Sequence, residues 1–310
     1  MHGGRVSSYP GGFPKGLAVQ NLPILNTYPG KVFWVDENGG GGSRGDFNHP
    51  LSSIDAAMAL CVANRGDVII AKPGHVENIS AAGDLTCDVA GVTIVGLGSG
   101  TKQAKIEFDT AAAADIDITA DDVTFENIWF NANFATGITA AIDVAAVDYA
   151  TISNCKITDT AATKEFLKFI TIAENAPYFR FNGNVVNCFT GSTMASLVYS
   201  ESTLIGFEAM NNTIVCPASA AIFDLDDDAI APGPIFRNNV MVNLSTTTGL
   251  CVAVTSATVA ILANERYASN KGNTVPASDI SASFLIECYG SELDAVSSLL
   301  FPATATNWGA

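Results

Sequence analysis

Basic residues are scarce in this chain. Lys and Arg number 15 against 31 Asp and Glu, a formal charge of −16. Neutralising a phosphate backbone takes clustered cations, so nucleic acid is not expected as a partner. Neutral or basic surfaces are favoured instead. No apolar run approaches the roughly 20 residues of a membrane span, and Met1-His2-Gly3-Gly4-Arg5 leads into no apolar segment, so neither a membrane partner nor a secretory signal is expected. Histidine is nearly absent. His2, His49 and His75 have no Cys, Asp or Ser at motif spacing, which excludes the usual nucleophile–base and zinc sets. His49 and His75 read as hydrogen-bonded turn residues. Trp34, Trp129 and Trp308 are too few and too scattered to form a row of sugar platforms. The seven Cys (61, 87, 155, 188, 216, 251 and 288) form no CxxC and sit among apolar residues. They read as buried free thiols, in keeping with synthesis in a reducing cytosol. Gly39–Gly42 lacks the Gly-Lys-Ser/Thr ending of a phosphate loop. No cofactor is expected.

A short repeated pattern is abundant: apolar, any, apolar, any, then a small or amide pair. It begins at Val92, Val123, Ala150, Phe179, Phe207, Pro234 and Val259, so its fifth positions are 96, 127, 154, 183, 211, 238 and 263. A period in the twenties with alternating apolar residues is the signature of stacked coils in a β-solenoid. The Asn and Gly residues ending each repeat suit a left-handed corner. Asn there can also bond to the Asn of the next coil.

A second alternating segment keeps the same period: Ile116-Asp117-Ile118, Ile142-Asp143-Val144, Ile170-Thr171-Ile172, Val198-Tyr199-Ser200, Phe223-Asp224-Leu225 and Val252-Ala253-Val254. Residues two apart share a face, so the flanking apolar pairs point inward. Stacking then places Asp117, Asp143, Thr171, Tyr199, Asp224 and Ala253 in one outward column, about 4.8 Å per step.

These periods define an all-β chain, a single parallel β-helix with an extended N-terminal arm and a short capping helix. Residues 1–30 carry Pro10, Pro14, Pro23 and Pro29 and read as the arm. Its spaced apolar anchors (Tyr9, Phe13, Leu17, Val19, Leu22, Ile24, Leu25 and Tyr28) have nothing local to pack on and are candidate partner-binding residues. Residues 31–66 supply a strand, the Gly loop and a helix capped by Ser52 or Ser53, with Ile54, Ala57, Met58, Cys61 and Val62 as its apolar stripe. Residues 67–290 are the coils. Residues 291–310 close the chain, with a short helix expected over Ser291 to Leu300.

The helix Ile54–Val62, the turn Arg65-Gly66-Asp67, the strand Val68-Ile69-Ile70 and Lys72-Pro73-Gly74-His75 resemble the N-terminal part of right-handed β-helix proteins related to pectate lyases. The likeness covers residues 31–290. Residues 32–43 resemble short phage-encoded β-helix proteins in which an extended arm precedes the helix. That resemblance implies a homotrimer on the virion surface, assembled in the host cytoplasm. It would contact the major capsid protein or other virion subunits as a decoration or cement protein.

β-Helix polysaccharide lyases and tailspike hydrolases instead place carboxylates on the outer coil face. Asp117, Asp143 and Asp224 are the candidates for such chemistry here, Glu174, Glu201 and Glu208 are further ones, and Arg180 or Arg237 would be the base or substrate clamp. Carboxylates near 5 Å suit a retaining glycosidase, and wider pairs suit inversion. Asp226 and Asp228 are weak candidates for a hard cation; no metal is expected. The column dilutes through Thr171 and Tyr199 to Ala253, and no lyase set of Asp opposite Arg can be matched. The sequence therefore favours a non-enzymatic structural protein, with the tailspike-type depolymerase or receptor-binding spike as the rival.

Overall fold

A computed structural model describes residues 30–38, 44–173, 175–202, 204–225, 233–247, 249–254, 260–270, 284–292 and 298–299. Ten, seven and ten strands form three sheets, and consecutive members of each sheet pair in parallel, apart from one antiparallel pair at the C-terminal end. Each turn of the chain lays one strand on each sheet, which makes a single parallel β-solenoid. The first sheet runs from Val32–Val35 through Thr93–Gly96, Thr151–Ser153 and Ile235–Arg237 to Phe284–Ile286. The second holds Leu85–Cys87, Ile116–Ile118, Ile142–Val144, Lys168–Ile172, Ser196–Ser200, Ala221–Leu225 and Leu250–Val254. The third starts at Val76–Ile79 and ends at Ser298–Leu299.

Alternation sets the burial. In Ile142–Val144, for example, the two aliphatic ends are buried and Asp143 faces out. The inward residues stack into one continuous core, in which Phe223 packs against Phe181, Phe207 and Phe236 at 5.2–6.0 Å between ring centroids. The seven cysteines are free, and all but Cys61 are buried. Burial pushes the Cys216 thiol up to about 12, which suits inert core packing.

Both expected roles of the corner asparagines are present. Asn127, Asn154, Asn211, Asn238 and Asn264 have φ between 53° and 59°, with Gly183 in the same conformation at 69°. Asn238 donates to Asn211 (3.2 Å) and Asn264 donates to Asn238 (2.8 Å). The register corrects the last repeat by one residue. Asn264, not Ala263, is the equivalent of Asn238, because Arg237 pairs with Ala263.

The capping helix is shorter than its apolar stripe implied. It spans Ile54–Met58, and the Ser53 hydroxyl accepts the Ala56 N–H at 3.1 Å. The chain then turns so that the Val62 N–H reaches the Asp67 carboxylate (2.8 Å), leaving Val62 exposed. Asp67 is fully buried and also pairs with Arg65 at 2.5 Å. Burial pushes its carboxyl up, but the Arg65 bond and the Lys31 and Val62 N–H groups outweigh this and hold it low. His75 ties the cap to the coils. Its Nδ1 accepts the Glu37 N–H (3.0 Å), its Nε2 donates to Glu77 (2.9 Å), and Glu77 accepts the Ile54 N–H at the helix start (2.9 Å). At the other end the expected helix over Ser291 to Leu300 is replaced. Tyr289–Glu292 and Ser298–Leu299 are strands paired antiparallel, and a returning strand covers the sheet edge that a helix was expected to cover. Residues 1–29 of the arm, with all eight apolar anchors, and the tail from 300 on lie outside the described residues.

Candidate functional site

The outward column of the second sheet has the register that the period implies. Asp117 pairs with Asp143, Asp143 with Thr171, Thr171 with Tyr199, Tyr199 with Asp224 and Asp224 with Ala253. Asp117 and Asp143 are therefore brought together, one coil apart. Asp224 is not. It stands three strands beyond Asp143, roughly 14 Å at about 4.8 Å per strand, and accepts a bond from the Ser196 hydroxyl at 3.2 Å.

A third carboxylate completes the cluster. Asp115, Asp117 and Asp143 each offer an oxygen within 4.8 Å of the others, and all three are half-buried. Asp115 accepts the Gly83 N–H at 2.5 Å. Burial raises its carboxyl; that Gly83 bond opposes the shift and Asp117 adds to it. Asp143 is raised to about 6, first by burial and then by Asp115, Asp117 and Glu201, with Lys168 opposing. One of its oxygens, Oδ1, is buried without a hydrogen-bond partner. Three acids this close relieve their repulsion by holding a proton on one of them or by sharing a hard cation. Among the described residues this is the one acidic group tight enough to do so; Asp226 and Asp228 fall outside them, as does Glu174.

The arginines stand elsewhere. Arg180 and Arg237 are on the first sheet, so the fold does not set them against these carboxylates. Glu208 is also on the first sheet, bonded to Asn182 at 2.8 Å. Next to the column, Lys168 lies 3.5 Å from the centre of the Tyr199 ring.

Several features go beyond the candidates that the sequence suggests. Asp115 has a signal in the pattern, since it lies two residues before Asp117 and alternation puts both on one face. Tyr149 and Tyr178 form an exposed stacked pair, with centroids 4.8 Å apart and planes within 8°. Each sits at the same left-handed corner two residues ahead of a first-sheet strand. Their signal is the coil period itself, carried two positions upstream of the strands. Asp159 and Glu265 are buried acids, raised to about 6 and about 7 mainly by burial.

This architecture defines the class: a single all-β parallel β-helix. No family model matches the chain, and no curated protein matches it. Among solved structures, a pectin methylesterase in complex with a hexasaccharide is similar at a TM-score of 0.50 and 12% identity, over 88% of this chain and 92% of that one. A rhamnogalacturonan lyase has a TM-score of 0.49 at 10% identity, covering 77% and 69%. A pectin methylesterase from Aspergillus niger has 0.49 at 14%, covering 87% and 91%. At such identities the likeness concerns the fold alone.

Proposed function

We propose that this chain is a non-enzymatic structural subunit of a phage virion, a capsid decoration or cement protein. It assembles as a homotrimer in the host cytoplasm and attaches to the major capsid protein or other virion subunits through residues 1–30. The observation that carries the non-enzymatic half is the outward column. Carboxylate chemistry along the face needs its acids side by side, whereas after Asp117 and Asp143 this column passes through Thr171 and Tyr199, meets Asp224 three strands on and ends at Ala253. The resemblance of residues 32–43 supports the virion half. Each arm anchor that becomes buried contributes roughly 1.5–3 kcal/mol before ordering costs, so several together make a lasting attachment.

One observation favours a second reading, a tailspike-type depolymerase. Asp143, raised to about 6 beside Asp117, can hold a proton near neutral pH, as a general acid must. Two variants separate the readings. The chain lacking residues 1–30 is expected to fold but not to bind particles, and Asp117→Asn with Asp143→Asn is expected to bind particles as well as the parent. Particle binding by the truncated chain would sink the docking arm. Cleavage of host surface polysaccharide by the parent, lost in the double variant, would establish the enzyme instead.

A further inference from the structure

The C-terminal half of the third sheet presents an acid-free outer surface among the described residues. Val185, Thr213, Val240, Arg266 and Tyr289 stand in register as one outward row across five neighbouring strands. Val215, Val242 and Ala268 continue the row beside it. Val185, Val240 and Tyr289 are 50%, 41% and 43% exposed. Three of the eleven exposed large apolar side chains among the described residues therefore stand in this one row. Neither row contains an acid, in a chain with 31 of them. Its one charge, Arg266, lies over the Tyr289 ring at 5.7 Å. A hollow of about 270 Å³ is lined by Val240, Val242, Arg266, Ala268 and Tyr289.

We propose that this face is where copies of this chain contact one another. Charge selects the occupant. Two chains of net charge −16 repel wherever acids meet, and the second sheet would bring Asp117, Asp143 and Asp224 into such a contact. The C-terminal half of the third sheet is a face on which a copy can lie without that cost. Its rungs share the spacing of about 4.8 Å with any other copy, and ridges and hollow occur together, so one copy's ridge fills another's hollow. The face measures roughly 25 Å by 15 Å, on the order of 400 Å², about half of what a stable interface buries per partner. Contact through this face alone is therefore weak, and it strengthens where further copies or a larger assembly hold the chains side by side. The inference deepens the reading above by naming the surface that joins its subunits, and it stands without particle attachment.

The test is sedimentation velocity of the full chain between about 5 and 500 µM. The mass is expected to rise from that of the 32.2 kDa single chain towards multiples of it. Val185→Glu with Val240→Glu is expected to hold the chain single throughout with unchanged far-UV circular dichroism. Leu60→Glu with Val62→Glu adds the same charge at exposed apolar positions elsewhere and is expected to leave association intact. If the first pair disturbs folding, Tyr289→Glu alone reads the same face. A parent that stays single at every concentration overturns the proposal, as does association that survives the third-sheet variants or disappears equally in the control. Particle binding is read separately, so the two ideas fail independently.

Discussion

Replacing Asn212 by alanine is expected to destabilise the solenoid by about 3–5 kcal/mol, while the same change at the neighbouring Asn211, where alanine must adopt a left-handed φ, costs about 1–2 kcal/mol. The two asparagines belong to different ladders. Asn211 sits on the exposed corner. Asn212 is 1% exposed and part of an inner ladder, in which each coil's side chain accepts the backbone N–H of the coil before. The Cys155 N–H donates to Asn184 (2.9 Å), the Asn184 N–H to Asn212 (2.8 Å), the Asn212 N–H to Asn239 (2.9 Å) and the Asn239 N–H to Glu265 (3.0 Å). The Asn212 amide group also donates to the Phe181 carbonyl (2.8 Å). Truncation removes the acceptor of a buried N–H, the donor to that carbonyl and the volume between them. Leaving buried polar groups unpaired costs about 1–3 kcal/mol each, and the cavity adds to it. Denaturant unfolding of both variants reads the difference. Equal losses at 211 and 212 would show that the inner ladder has no special weight.

The ladder ends in an acid, and that yields the second large effect. Glu265 is fully buried. Burial raises its carboxyl from 4.5 to about 7 against opposing bonds from Asn239 and the Tyr267 hydroxyl. In the unfolded chain the group loses its proton near 4.5, while in the folded chain it keeps it until about 7. The folded state binds the extra proton between those values, so stability falls as pH rises through that window and levels off above it. The full difference is about 3 kcal/mol. Glu265→Gln keeps an acceptor for Asn239 and cannot ionise. It is expected to match the parent near pH 5, exceed it by up to about 3 kcal/mol at pH 8, and flatten the dependence between pH 6 and 8. Asp143 and Asp159 are raised only to about 6, so they act mostly below that range. A variant no more stable than the parent at pH 8 would mean that Glu265 is ionised in the fold at little cost.

Glu265 also shows where the sequence stops being readable. Six of the seven repeats align by pattern because alternation and a coil period leave no freedom in register. The seventh slips by one, since Ala263 satisfies a template that admits small residues as well as amides, and the slip sets Asn264 on the inner ladder in place of Glu265. The outward column is legible for the same reason as the repeats, down to the dilution at Thr171 and Ala253. Its third carboxylate, Asp115, lies just outside the strand Ile116–Ile118, where a pattern that follows strands alone does not reach. The helix end is illegible from its stripe. Cys61 and Val62 continue the helical spacing, but the pull of Asp67 on the Val62 N–H is a tertiary contact with no local signal. The returning strand Ser298–Leu299 is equally non-local: it forms by pairing with Tyr289–Glu292.

The proposed role is decided most directly by counting copies of this chain per purified particle, by quantitative mass spectrometry against the major capsid protein. The decoration reading predicts copies in the hundreds, in a simple ratio to capsid subunits. A few to a few dozen copies per particle would contradict it and place the chain on a tail spike, where cleavage of polysaccharide at Asp117 and Asp143 becomes the activity to assay.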